Sequence, residues 1–458
     1  MTLVRVRKSG CLTLLLLACT ACVGRSVQLF ETLPQDGDRR GDAGAVTGDG
    51  VATPPWGSYL QGVTLPACAT GASLVVTTAA EEQDGGTSAA DPTQAGPTLS
   101  LWEALTIAYN RPGYDVITFD SSVFPPSQRT VISVSGALPF ALQTEAYCLS
   151  GAGAGVALVW DASLDIECWT CVFSVPAGSL VVGLELVNLP STLDVNAAQV
   201  AGCSFSNIRY VACECGANAL IGPENMFSGS GTGVRNSFYA GLVVRGNYFG
   251  FDPRTSTNRA LSQAVVLFSP ALVEQNTFGG EITYAVSSTT QGTEPTVLRN
   301  NRWGVAPDGS ILGSAGPHLR AYGNPSRWVI GPGNIIAHST AAGIVLFPGS
   351  SDFVEITANS IYDNMGAGIE AGDTTFLPPA PVITTVTATD VSGTCADSGR
   401  VELFADRGDE GELYLGSVEC TAGLWSLVGE VPAGFNATAT LTDGQGRTSV
   451  FSGPVAAP

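Results

Sequence analysis

Lysine is all but missing from this chain. One of its 458 residues, Lys8, is a lysine. Charged residues of every kind make up only 13%, and 20 basic residues face 40 acidic ones, for a formal net charge of −20. Arg5, Arg7 and Lys8 lie at the very start, so past residue 18 the balance is 17 arginines against 40 acids. Nucleic acid and anionic lipid need clustered cations, and this composition excludes both as partners. Histidine is nearly as scarce. His318 and His338 are the only two, and both stand near turn residues and read as ordinary loop histidines. A polysaccharide lyase needs a Lys, Arg or His base and commonly Ca²⁺, so the supply of bases is thin. No two aspartates are adjacent, and no carboxylate cluster of the glycosidase kind is visible. The Gly-rich stretches at residues 151–155 and 229–233 lack a P-loop lysine and a following helix, which argues against phosphate binding. Calcium-binding repeats are absent too. No cofactor or metal is expected, and Ca²⁺ has no support.

What is present begins with "MTLVRVRKSGCLTLLLLACTACVG". A basic stretch precedes a short apolar run, residues 11–18, and then small residues and Cys. That is the form of an export signal, and the run is too short to span a bilayer. No later stretch reaches the ~18 uninterrupted apolar residues of a membrane span. The residues Leu16-Leu17-Ala18-Cys19 resemble a bacterial lipobox. The resemblance implies cleavage before Cys19 and a diacylglyceryl anchor on it. Cys22 is the alternative, but Cys19 stands where a lipobox for Cys22 would have Leu. Thr20 follows Cys19, so the Asp of an inner-membrane retention signal is missing, and the outer membrane or cell surface is expected. Twelve cysteines in an exported chain read as disulfides first. Acylating Cys19 leaves an even set.

Residues 19–97 are rich in Gly, Asp, Ala, Pro and Thr and cannot bury enough apolar area to offset the entropy of ordering. They read as an acidic, largely disordered tether, with a strand pair attached at most. The pattern changes after Pro97. Leu101 to Asn110 predict a helix, with Ser100 as N-cap and Glu103 completing a capping box. Arg111-Pro112-Gly113 ends it and "DVITF" follows as a strand. Leu101, Glu103, Ala104, Leu105, Asn110, Gly113, Asp115, Ile117 and Phe119 resemble the CSLREAI segment of bacterial surface proteins, with Trp102 in place of the usual Arg. The resemblance implies a helix that caps the first coil of a parallel β-helix.

"VVRGNYFGFDP" (residues 243–253) and "VLRNNRWGVAP" (residues 297–307) repeat one pattern. The triplet Asn, any residue, bulky apolar recurs at Asn225, Asn247, Asn276, Asn301, Asn334 and Asn359. Repeats of 22 to 33 residues, made of short alternating strands with no helix between, predict a solenoid. The corner Asn tolerates left-handed backbone and can bond the Asn above and below, while the apolar residue two places on points inward. These repeats resemble the β-helix arrays of bacterial surface proteins. The predicted fold is all-β: a right-handed parallel β-helix over residues 98–376 with one capping helix. Ten or eleven coils would make a rod of about 50 Å. Residues 377–458 show short alternating strands and predict a small β-sandwich. They resemble immunoglobulin-like modules, and Cys395 and Cys420 should pair there. Cys148, Cys168, Cys171, Cys203, Cys213 and Cys215 fall within a few coils. They read as bridges between neighbouring coils, with buried reduced thiols or a zinc site as the alternatives.

No catalytic residue stands out. Asp252 and Asp308 sit beside a proline and are explained by turn chemistry. Arg245 and Arg299 occupy equivalent points of the repeat and read as surface arginines stacked with acids. These four mark where a catalytic or glycan-binding face would be sought. The expectation is a monomeric, lipid-anchored envelope protein with a non-enzymatic surface role: adhesion, binding of a polysaccharide or surface protein, or spacing. Its alternative is a polysaccharide lyase or glycoside hydrolase.

Overall fold

The computed structural model describes residues 55–458, apart from residues 85, 136–137, 139–144, 162–172, 191, 237–238, 281, 289–293, 322–326, 348–352 and 376. The expected signal, Cys19, Cys22, Cys168 and Cys171 lie outside the described residues.

Short strands separated by Gly, Asn and Pro turns stack into three parallel ladders. The first holds eleven strands, from Ala72–Val76 through Asp115–Phe119 and Leu242–Arg245 to Val354–Ile356, and each pairs in parallel with the strand one coil later. The second runs from Thr130–Val134 to Ser360–Tyr362 and the third from Phe173–Val175 to Ile369–Ala371. Met226–Asn236 belongs to both and joins them into one 18-stranded sheet. This is a parallel β-helix. Ten steps of about 4.8 Å give a rod of about 50 Å. Strands such as Leu242–Arg245 and Thr296–Arg299 turn alternate residues inward, so one continuous apolar core fills the solenoid. Phe205, Phe227, Phe249, Phe278 and Trp303 stack face to face within it at 4.8 to 5.1 Å.

The repeat asparagines sit two residues before Phe227, Phe249, Phe278, Trp303, Ile336 and Ile361 and are all buried. Asn247 Nδ2 donates to Asn276 Oδ1 at 3.0 Å and to the Ile221 carbonyl at 2.9 Å, while its Oδ1 accepts from the Nδ2 of Asn225 at 2.9 Å. The backbone N–H groups of Asn225, Asn247, Asn276 and Asn301 also donate to the next Oδ1, as from Asn276 to Asn301 at 3.0 Å. The side-chain bonds run on to Asn334 and Asn359. One correction follows. The left-handed backbone belongs to the residue before each ladder Asn: Glu224, Gly246, Gln275, Asn300, Gly333 and Ala358. The ladder Asn amide faces inward from the turn, where its donors and acceptors reach both neighbouring coils.

A second correction concerns the start. The solenoid begins ahead of residue 98: Ala72–Val76, within the stretch read as tether with a strand pair attached at most, is the edge strand of the first sheet. The helix Leu101–Asn110, with its Ser100–Glu103 capping box, lies between the first and second strands rather than ahead of the first coil. Cys68, also in the tether stretch, is bonded to Cys148 with Cα atoms 5.7 Å apart. Cys203, Cys213 and Cys215 are buried free thiols and not inter-coil bridges. Burial pushes the Cys203 thiol up to about 12. Cys203 occupies the ladder position one coil before Asn225, and its N–H donates to Asn225 Oδ1.

At the other end, two antiparallel sheets of three and four strands enclose a core that includes Val391, Leu403, Trp425 and Leu441. Cys395 and Cys420 are joined there. This module closes the last coil. Ile361 and Gly411 exchange two backbone hydrogen bonds of 2.8 Å, and Thr448 Oγ1 accepts from the N–H of Ile356 at 2.9 Å. Glu402 accepts from Ala358 N–H at 2.9 Å. Glu410, also buried, accepts from the N–H of Asn364 at 3.1 Å and leaves Oε1 without a partner. Burial, with Asp406 and Asp409 nearby, raises its pKa to about 7.

Two predictions arise from this packing. Asn276→Ala strands the amide of Asn247 and the acceptors below it, and should cost about 3 kcal/mol in urea unfolding. The Glu410 pKa is raised above its unfolded value, so its contribution is full below about pH 4.5 and is lost as pH rises through about 7. Stability should fall by up to about 3 kcal/mol over that window, and Glu410→Gln should flatten this slope in unfolding curves taken from pH 4.5 to 8.

Candidate functional site

The Asn ladder forms a corner with an outward row on each side. One row holds the left-handed residues Glu224, Gly246, Gln275 and Asn300. The other holds the middle residue of each repeated triplet, stacked in register as Met226, Tyr248, Thr277, Arg302, Ile335 and Ser360. Between the two rows lies a groove of about 280 Å³ that also meets Pro307. It spans four rungs, about 14 Å along the rod. Gly246 carries no side chain at the rung of Tyr248, which leaves the groove open there.

Backbone strain is concentrated on this row. Non-glycine residues adopt left-handed φ at a cost, least for Asn. The equivalent corner is glycine at Gly183, Gly202 and Gly333, yet it is Glu224 at φ 63° and Gln275 at φ 59° beside the groove. Both place long polar side chains at its rim.

A segment before the first strand builds one end. The short helix Trp56–Tyr59 packs on Met226, and Trp56 Nε1 donates to the Gly202 carbonyl at 2.6 Å. Arg254 lies 5.4 Å over the Trp56 ring. Tyr59 then reaches the groove, where its hydroxyl donates to Glu224 Oε2 at 3.2 Å. Tyr248 bonds to both. Burial raises the Glu224 carboxyl above the ordinary range, against the opposing hydrogen bonds from Tyr59 and Tyr248. Burial likewise raises both phenols. At the far end Arg302 presents a half-buried guanidinium with no ion pair or side-chain hydrogen bond among the described residues.

The residues singled out from the sequence do not converge here. Arg245 and Arg299 both bond Glu274 of the intervening coil, Arg299 Nε at 2.8 Å, in the register Arg245–Glu274–Arg299. Asp252 is buried between Arg254 at 2.8 Å and Arg259 at 3.1 Å. Burial pushes its carboxyl up, and those arginines more than offset this, so it lies below its usual range. Asp308 is exposed and holds its own turn through the N–H of Ser310 at 2.9 Å. His318 corrects another expectation. It does lie in the loop just before the strand Leu319–Ala321, but it is a buried, bonded group rather than an ordinary loop side chain, with Nε2 2.7 Å from the Ala337 carbonyl and a pKa lowered by burial to about 4.

Sequence reasoning missed Glu224, Tyr248, Arg302 and Tyr59. A signal for two of them was in view: in a triplet of Asn, any residue, apolar, the middle residues must all face outward on one row. For Tyr59 the signal was "PPWGSYLQG", aromatic and apolar residues inside a stretch otherwise made of Gly, Asp and Pro.

No known family model matches the chain, and no curated protein matches it. Among solved structures it is similar to a tailspike of an Acinetobacter baumannii bacteriophage, a capsular polysaccharide depolymerase, at 10% identity and a TM-score of 0.27 over 74% of this chain and 77% of that one. An Acinetobacter phage tailspike matches at 13% identity and a TM-score of 0.26 over 83% and 78%. A double mutant of the E. coli bacteriophage HK620 tailspike, in complex with a pentasaccharide, matches at 10% identity and a TM-score of 0.23 over 76% and 72%. The likeness concerns the fold alone.

Proposed function

We propose that this chain is a lipid-anchored envelope protein that binds a surface or extracellular glycan without cleaving it. The observation that carries the reading is the groove itself. It combines the Tyr248 ring, the exposed amides of Gln275 and Asn300 and the Arg302 guanidinium on a rigid corner, which is a mixture that recognises sugar hydroxyls and ring faces. Of the side chains lining it, Glu224 is the one carboxylate. A hydrolytic site uses two carboxyl groups across the scissile bond. The anchor rests on Leu16-Leu17-Ala18-Cys19 and on the Thr after it.

One observation favours polysaccharide cleavage as the second reading. Glu224 is held toward its protonated form by burial, which suits a proton donor.

A glycan array with the mature protein, with and without Ca²⁺, followed by mass spectrometry of each bound glycan, separates the two. Bound, intact glycans support the first reading, and shortened products lost in Glu224→Gln support the second. Tyr248→Ala should weaken glycan binding about tenfold, the loss of one stacked ring and its hydroxyl. The anchor has its own test: palmitate labelling in a bacterial host should vanish in Cys19→Ser and persist in Cys22→Ser.

A further inference from the structure

We infer that the groove takes an acidic saccharide and seats the sugar carboxylate on Arg302. The inference rests on the glycan-binding reading and adds the class and the orientation of the ligand.

Arginine is scarce in this chain and is nearly always committed to an acid. Arg129 bonds Glu185, Arg235 bonds Glu214, Arg407 bonds Glu412 and Arg447 bonds Asp443, besides the Glu274 and Asp252 clusters described above. Among the described residues Arg302 has no such partner, although acids outnumber bases two to one. Arg209 shares that freedom, but it is exposed on a turn. Arg302 instead lines the groove and is half-buried.

Its surroundings keep the charge available. Its row places Thr277 one rung before it and Ile335 one rung after it, so neither neighbouring coil offers a carboxylate at that position. A half-buried guanidinium has lost part of its hydration and needs acceptors. Its planar fork matches a carboxylate with two parallel hydrogen bonds. Asn300 and Gln275, on the facing row, supply amide donors beside it. Glu224 stands three rungs away, about 14 Å along the rod. A ligand carboxylate finds its cation only at the Arg302 end, which sets the direction in which the saccharide lies.

The experiment uses the mature protein on an array where uronic- and sialic-acid oligosaccharides stand beside their own methyl esters, with sulfated and neutral glycans alongside. The best pair is then followed by calorimetry. The acid should bind about tenfold to a hundredfold tighter than its ester, the range of a charge-assisted hydrogen bond pair. Arg302→Gln should lose that preference, and Arg302→Lys should keep part of it. Thermal melts of both variants at the wild-type midpoint show that the fold is intact. Equal binding of acid and ester, an unchanged preference in Arg302→Gln, or a preference for sulfate over carboxylate overturns this inference while glycan binding stands. Binding to no glycan overturns both.

Discussion

Everything on the working face of this rod hangs on a column of buried amides. At each corner the chain must leave one sheet, turn through a left-handed residue and enter the next, and the turn exposes backbone groups to an apolar core. An asparagine at the following position satisfies them. Its oxygen takes the backbone N–H and the side-chain N–H of the coil before, and its nitrogen reaches a carbonyl one or more coils back. No other side chain offers two donors and an acceptor of that length. In a low-dielectric interior the bonds polarise one another, and a gap costs the full desolvation of what it strands. The column thereby holds two outward rows at a fixed spacing and height. The groove is the space between them.

A stack held this way has raw ends, and both are covered. The last strand of the first sheet would present unpaired backbone groups to solvent, an invitation to add foreign strands. The C-terminal module takes them up through Thr448, and bonds the next turn and the last strand of the second ladder through the carboxylate of Glu402 at Ala358 and through Gly411 at Ile361. The first coil is covered by the helix Leu101–Asn110, whose buried face joins the solenoid core. Two disulfides lie near these ends: Cys68–Cys148 ties the incoming chain to the third strand, and Cys395–Cys420 lies within the closing module.

How much of this was legible follows from what repeats and what does not. Asn225 through Asn359 recur because the corner recurs, and so the solenoid, its inward aromatic column and its approximate length can be read from spacing. The capping box of Ser100 and Glu103 is local and equally readable. The left-handed position is harder, since Glu224, Gln275 and Ala358 have no propensity for it and only the neighbouring column makes them adopt it. The segment carrying Trp56 and Tyr59 makes non-repeating contacts across more than 140 residues of sequence, as from Trp56 to Gly202 and Tyr59 to Glu224. Its composition resembles a linker because the solenoid, not the segment, supplies most of the apolar surface. Asp252 and Arg245 drew notice as charged residues in the repeat, and their charges are spent on neighbours one turn or one coil away.

That spending explains the odd composition. In a solenoid, residues at one position of successive coils lie about 4.8 Å apart, so like charges in a row repel by about 1 kcal/mol in water and several-fold more when half-buried. A row of lysines or of glutamates is therefore costly. The chain meets the constraint with few charges, and most of those that stack pair acid with base, as in Arg245–Glu274–Arg299 and Glu214–Arg235; Asp194 against Glu214 is a like pair, and burial together with that neighbour raises the Asp194 carboxyl. Arginine serves this better than lysine because its fork can bond the coils on either side. Against that background two half-buried arginines have neutral neighbours above and below: Arg320 between Ser287 and Val345, and Arg302 between Thr277 and Ile335. Arg302 stands in that setting, on the row that faces the strained corners of Gln275 and Asn300. The one guanidinium left without an acid in the groove and the strained amides are together on one stretch of one edge, where a rigid rod offers a solute its most defined surface.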